Sequence, residues 1–559
     1  MAWPPIWSWR RLRLALALPL LALAARCAGP TPPAPDPSET LRIAIRADPR
    51  TLDPLVGHTN LSRMVSQRIF EPLIDLDAGL QPVPRLALEW QREENGAGWR
   101  FRLRPGVRWH DGRTLVAADL AATLERALDP RTPSLDLKAL LEGAGPVEAL
   151  GALEVRVPFS APAPRSFLPW KRLAVLPAGG GPDPDAFARA PVGTGPYRLS
   201  AWRPGEWILL ERNPHWWGGK PAIRFVLFHI IPDALTVARA LNRGDLDIAY
   251  VHQADYQRSL RADSSFRVVR YEAADIYVVV WNLEANSGAF SDPRVRRALA
   301  LAFNRQAFAT QIRRGLARVA ATLYPPLWRR GRPGVAPLPY DPREAARLLE
   351  EAGWIDADGD GWRERAGQRL GFPLLYALED PIRADAAQVL QADLARVGVE
   401  VRLERVDAVS LVRRLRSHDF VAAVHAWALD PLPQTYDFLH SSQRAGGFNY
   451  GGYTDPALDH LLELEVGAGT ESELLRAGAQ IETYLREQAP LLFICFPVYL
   501  IGVSHRVEGF SIGPLGLLQG ARGPEAWSLR VAPSRRAPGA GAPAIVSSAG
   551  AAARDGRAR

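Results

Sequence analysis

Cysteine is nearly absent from the 559 residues: there are two, Cys27 and Cys495. Cys27 closes an N-terminal apolar segment, so the body of the chain holds one. A single cysteine makes neither an intrachain disulfide framework nor a zinc site. Cys495 stands inside Leu491-Leu492-Phe493-Ile494-Cys495-Phe496 and reads as a small buried hydrophobe. Long hydrophobic runs are also scarce. Beyond the first thirty residues no segment is long and apolar enough to cross a bilayer. Catalytic signatures are missing as well: there is no Gly-x-Ser-x-Gly elbow, no His-Glu-x-x-His pair and no cysteine nucleophile with a partner nearby. No catalytic residue, cofactor or metal is therefore assigned, and the expectation is a protein that is not an enzyme. Gly193-Thr194-Gly195-Pro196-Tyr197 is a glycine-rich turn into a strand and not a phosphate loop, because no Gly-Lys-Ser/Thr follows. Asp356-Ala357-Asp358-Gly359-Asp360-Gly361 begins like a calcium loop, but its twelfth position is Gly367 where a bidentate glutamate is needed. A turn is expected there.

An excess of either charge is missing from the middle of the chain. The net charge is +8. Arg10, Arg11, Arg13 and Arg26 stand without an acid in the first thirty residues. Arg535, Arg536, Arg554, Arg557 and Arg559 face only Asp555 in the last twenty-nine. These two ends account for the whole excess, which removes the argument for a nucleic-acid-binding fold.

Arg10-Arg11-Leu12-Arg13 followed by the apolar run Leu14 to Ala25 predicts an export signal over 1–30. Leu23-Ala24-Ala25-Arg26-Cys27 is similar to a bacterial lipobox, with Arg26 where a small residue belongs. Two outcomes stay open: a lipid on Cys27 that tethers the protein to the membrane, or cleavage at Ala22-Leu23-Ala24 and a soluble product. Residues 31–39 are a proline-rich linker, and 531–559 read as a disordered basic tail.

A chain of this length holds two or three domains. Strands are expected at 41–45, 99–103, 206–212, 223–231, 399–403 and 491–503. Helices are expected at 60–70, 118–128, 235–243, from Asp292 to Gly315, from Asp341 to Gly353, over 383–397 and after Asp455-Pro456. The most informative stretch is Phe420 to Leu439. The apolar run Phe420-Val421-Ala422-Ala423-Val424 reads as a buried strand and leads to Trp427 and Asp430, with Pro431 ending the ladder. Strand ends are where open α/β sheets place ligands, and an aromatic wall with one fixed charge suits a small polar ligand. The competing reading makes Trp427 core and Asp430 a turn cap.

An ordered set of motifs runs along the chain: Thr51-Leu52-Asp53-Pro54, Phe70-Glu71-Pro72-Leu73, Pro84-Arg85-Leu86-Ala87-Leu88-Glu89-Trp90, Leu103-Arg104-Pro105-Gly106-Val107-Arg108-Trp109-His110-Asp111-Gly112, Pro191-Val192-Gly193-Thr194-Gly195-Pro196-Tyr197, Arg212-Asn213-Pro214-His215-Trp216-Trp217 and Asp292-Pro293-Arg294-Val295-Arg296-Arg297-Ala298-Leu299. The chain resembles, over about 40–530, the family 5 solute-binding proteins of ATP-binding-cassette importers, the oligopeptide, dipeptide and nickel class. The resemblance implies an α/β, two-lobed periplasmic-binding-protein fold of the cluster C type with an extra subdomain, its lobes joined by two hinge strands near Ile276–Asn282 and Leu491–Val503. Lobe I would take 40–57, 190–275 and 490–530, the extra subdomain 58–189, and lobe II 276–489. It implies a monomeric extracytoplasmic or periplasmic receptor that binds a peptide or other small solute and works with permease subunits. Asp430 matches the acid that pairs with a ligand amine, Trp427 the aromatic position and Tyr499 a pocket-facing tyrosine. Asn449 is a further polar contact. Dipeptide-type relatives carry an arginine where this chain has Tyr376-Ala377-Leu378-Glu379-Asp380, which leaves Arg383 as the alternative clamp and favours longer peptides or cationic ligands. The rival reading is a degenerate sensor or chaperone-like interaction protein whose cleft is filled by bulky side chains.

Overall fold

The computed structural model describes residues 35–530 and 545–547, apart from 58, 78–80, 95, 161–166, 180–186, 188, 252–265, 285–287, 330, 430–432, 434, 469, 514–515 and 519–522. The expected export signal, Cys27 and Asp430 lie outside the described residues.

Among the described residues, thirteen strands make one mixed sheet. In chain order they are β1 (Thr40–Ile45), β2 (Tyr197–Arg203), β3 (Trp207–Arg212), β4 (Phe225–Ile230), β5 (Ile248–Val251), β6 (Phe266–Glu272), β7 (Asp275–Trp281), β8 (Ala317–Val319), β9 (Gly371–Ala377), β10 (Glu400–Val406), β11 (Ala422–Ala428), β12 (Leu491–Ser504) and β13 (Ile545–Ser547). The sheet runs β10-β9-β11-β7-β12-β5-β1-β4-β3-β2, with β6 and β8 also paired to β12. β13 lies in the segment expected to be a disordered tail, and its backbone pairs in parallel with β6.

β12 is the strand that both halves of the sheet share. Leu491 to Cys495 pairs with β7, and Val498 to Ser504 pairs with β6. Between them the partner changes at Phe496-Pro497, beside the Ala273-Ala274 step that separates β6 from β7. Proline has no N–H to give a ladder, so it fits where the pairing is handed over. A register shift between Tyr277 and Val278 leaves Ile494 as an extra residue, and its carbonyl accepts the Ala320 N–H at 3.2 Å.

The apolar cores divide at the same place. One gathers residues from Leu41 to Ala273 and from Ile501 to Trp527. Two others, on the two faces of β7, gather residues from Ala274 to Phe496. The molecule is thus two-lobed, with the chain passing between cores along β6–β7 and along β12.

Several of the sequence motifs meet in the first core. Gly193 and Gly195 lie against the end of helix Asn60–Ile69, where an added Cβ would fall 1.9 Å from the Ile69 carbonyl oxygen or 2.5 Å from that of Arg68. Only glycine fits so close a backbone approach. His110 bridges the same loop: Nδ1 accepts from the Gly193 N–H and Nε2 donates to the Gly195 carbonyl at 3.0 Å. Burial pushes its imidazole down to about 4. The Glu71 carboxylate is fully buried, accepts from the indole N–H groups of Trp216 and Trp217, and pairs with Arg85 at 2.8 Å. Those blocks are a packed structural unit.

One helix differs from expectation. The segment from Asp292 to Gly315 breaks into Pro293–Ala302, Arg305–Ala307 and the wider turn Phe308–Ile312. Asn304 restarts the chain by accepting the Ala307 N–H on its own side chain, while its backbone N–H goes to Asp393 at 2.9 Å. A short polar residue that can cap competes with helix continuation. The acidic loop at 356 is a turn: the Asp356 carboxylate accepts the N–H groups of Gly359 and Gly361.

Candidate functional site

A cleft of about 2560 Å³ opens where the chain passes between the cores. The ends of β1, β5, β6, β7 and β11 and the middle of β12 reach it, as does the start of helix Pro381–Ala395. Pockets for drug-sized ligands occupy roughly 300–1,000 Å³, so this space suits something larger.

β11 delivers Trp427 to the cleft. Its ring is 5% exposed, lies 4.8 Å from Phe438 and stacks on Tyr450 at 6.3 Å. Its indole N–H has no hydrogen-bond partner among the described residues. His425, two residues earlier on the same face, meets Trp427 and Tyr450 edge to face. Its Nδ1 is likewise unpartnered among the described residues, and burial pushes the ring down to about 3, so it stands neutral.

Tyr499, on β12, also lines the cleft. Its hydroxyl donates to Asp275 at 2.9 Å. Its ring belongs to a cluster with Tyr250 and Tyr271, at centroid separations of 5.7 to 6.5 Å. Of the expected site residues, the structure thus brings Trp427 and Tyr499 to one cleft.

Asn449 is placed differently from its expected role as a polar contact. It is 2% exposed and does not line the cleft. Its amide donates to the carbonyls of Leu439, His440 and Tyr453, and its carbonyl accepts the Tyr453 N–H at 3.1 Å. Four backbone bonds leave nothing to offer a ligand; the residue holds the loop beneath Trp427 together.

The structure adds residues that the sequence did not single out. Asp275 opens β7 opposite Ala428. Asp380 caps helix Pro381–Ala395 through the Ile382 N–H and accepts from the Tyr277 hydroxyl at 2.9 Å. Arg383 does reach the cleft, with Nε 3.5 Å from Asp380. Arg46, just beyond β1, lines the cleft, is exposed, and has no ion pair or hydrogen bond among the described residues. The signals were present but faint: a lone acid before the run Ile276 to Trp281, and an Asp-Pro pair that starts a helix.

Chemically the arrangement can bind but shows no nucleophile paired with a base among the described residues. It offers aromatic faces, fixed carboxylates and guanidinium groups around a large space. Residues 81–450 match the bacterial extracellular solute-binding proteins, family 5 middle. Protein XP55 of Streptomyces lividans is 32% identical over 498 residues, 85% of this chain and 86% of that protein. The oligopeptide-binding protein AppA of Bacillus subtilis is 27% identical over 479 residues, 84% of this chain and 88% of the relative. The structure of that protein with a nonapeptide superposes with a TM-score of 0.74, covering 88% of this chain and 99% of the other. NikA of Brucella suis, solved with Fe(III)-EDTA, gives a TM-score of 0.76 at 25% identity, covering 88% of this chain and 100% of its own. The chain belongs to the bacterial extracellular solute-binding proteins of family 5.

Proposed function

We propose that this protein is the extracytoplasmic receptor of an ATP-driven importer and captures peptides or related amine-bearing solutes by closing its two lobes. The observation that carries the reading is the 2560 Å³ cleft at the crossing strands, walled by Trp427, Tyr499, Asp275 and Asp380. A cleft that is open rather than packed with bulky side chains favours a receptor over an interaction protein. The oligopeptide-binding relative at 27% identity supports the same ligand class. In this reading Asp430 pairs with the ligand amine, and Trp427 and Tyr499 wall the pocket. A buried carboxylate facing an ammonium works only when water is closed out, and lobe closure supplies that condition. Lobe I is built from 40–57, 190–275 and 490–530 with the subdomain 58–189, and lobe II from 276–489. The protein acts as a monomer without catalysis, is exported by its first thirty residues, and is either released or tethered through Cys27.

A thermal-shift screen against pools of di- to pentapeptides, with nickel chelates and oligosaccharides as controls, tests this. A ligand confined to the folded state adds about 2.7 kcal/mol at a hundredfold excess over its Kd. A peptide-induced shift that disappears on N-acetylation is expected. A shift with the controls alone would replace the ligand class, and a cooperative melt unmoved by every pool would overturn the receptor reading.

A further inference from the structure

We propose that Asp275 is a second anionic subsite, which takes an ammonium or guanidinium on the body of the ligand, so that the cleft selects solutes with a basic group beyond the amine. This rests on the receptor reading above.

The argument starts from charge pairing around the crossing strands. Asp380 is compensated: it accepts from Tyr277 and from the Ile382 N–H, and it faces Arg383. Arg313 is taken up by Asp385 at 3.1 Å. Asp275 has no ion pair among the described residues, and Arg383, whose charge also reaches it, is engaged by Asp380. Among the described residues its partner is the neutral hydroxyl of Tyr499, although it lines the cleft and is half-buried. A partly desolvated carboxylate with one neutral donor and a free oxygen is a site that a cation completes.

The surroundings suit a cation. Tyr250, Tyr271 and Tyr499 cluster beside Asp275 and line the same wall. The negative faces of aromatic rings attract ammonium and guanidinium groups.

The subsite is also distinct from the one at Trp427. Ile276 pairs with Trp427 across β7 and β11, and Asp275 pairs with Ala428. Side chains of paired residues share a face and alternate along the strand. Asp275 therefore shares the face of Tyr277, opposite that of Trp427. A ligand that reaches both must pass over the ends of β7 and β11, which separates a group held at Asp275 from one that lies against Trp427.

The titration of Asp275 agrees with this geometry. Burial and then the neighbouring Asp380 charge push its carboxyl up to about 6, opposed by the Tyr499 bond and by Arg383. Those, with Tyr277, Tyr271 and Tyr250, are the titratable and charged groups that face it among the described residues. A cation that binds the charged form must therefore be held more weakly below pH 6 than above it.

The test uses isothermal titration calorimetry on the exported protein with two matched pairs: Ala-Lys-Ala against its norleucine counterpart, and pentane-1,5-diamine against pentan-1-amine. The basic member of a pair is expected to bind about tenfold tighter at pH 7.5. That preference should shrink at pH 5 and be abolished in Asp275→Asn, which keeps an acceptor for Tyr499, while Asp275→Glu keeps a preference. Peptides that bind without a lysine preference overturn the subsite and leave the receptor standing, as does a preference that survives Asp275→Asn. A preference seen in the diamine pair alone supports the subsite and replaces the peptide as ligand. Binding of neither pair to a cooperatively melting protein overturns both.

Discussion

Asn449 was expected as a polar contact and Asp430 as the partner of a ligand amine, and the surroundings of Asn449 assign it another job. The Asn449 side chain makes four bonds to the backbone of the loop that supports Trp427. Asn449→Ala strands buried carbonyls and one N–H, so a loss of about 1–3 kcal/mol is expected. Denaturant unfolding should show it as a lower midpoint, with ligand affinity unchanged once the protein is folded. Asp430→Ala should do the reverse, leaving the midpoint within about 0.5 kcal/mol and lowering affinity for amine-bearing ligand by at least tenfold. An Asp430→Ala protein that binds N-free and N-acetylated peptides as the wild type does would remove Asp430 from the site.

At the scale of elements, a buried carboxyl ties the ligand wall to the helices behind it. Glu465, on helix Pro456–Gly467, accepts from Tyr324 and from Thr435, the first residue of helix Thr435–Leu439 that carries Phe438 against Trp427. Burial pushes this carboxyl up to about 7, with the nearby Glu482 charge adding to the rise and the two hydroxyl bonds opposing it. The folded state keeps the proton at pH values where the unfolded chain has lost it. The stability this contributes is complete below about pH 4.5 and is lost as pH rises through 7, at most roughly 3 kcal/mol. Asp275, raised to about 6, has the same sign. His110 and His425, whose burial lowers their imidazoles, contribute the opposite slope below pH 6.5, so the carboxyl contribution is read as a difference between two proteins. Glu465→Gln keeps the two hydroxyl contacts, and the melting temperature of the wild type should fall relative to that variant between pH 5 and pH 8; a constant difference would show that Glu465 does not titrate in this window.

At the scale of the molecule, closure has to be accommodated by two connections. One is the Ala273-Ala274 step between β6 and β7, and the other is β12 at Phe496-Pro497, where the partner strand changes. In the proposed reading, ligand binds the closed form better and shifts the equilibrium towards it. Small-angle scattering should show a smaller radius of gyration with saturating peptide than without. A radius unchanged by a ligand that does raise the melting temperature would mean that capture takes place without lobe closure.

Much of this was legible in the linear chain because it depends on local chemistry. The Asp-Pro helix starts at 292, 341 and 455, the buried runs that became β7, β11 and β12, and the close-packed Gly193 and Gly195 all carry their cause within a few residues. So do the ordered motifs that placed the chain in its family. The break at Asn304 was not legible, because the group that holds it, Asp393, is 89 residues away. The roles of Asn449 and Asp275 were hidden for the same reason. An asparagine in a loop and an acid before a strand look equally available until the fold decides which one turns inward to the backbone and which one faces the cleft. The sequence by itself determined the family, the apolar runs and the turns. Only the tertiary structure decided which charges are compensated, because compensation joins residues such as Arg313 and Asp385 that lie 72 positions apart.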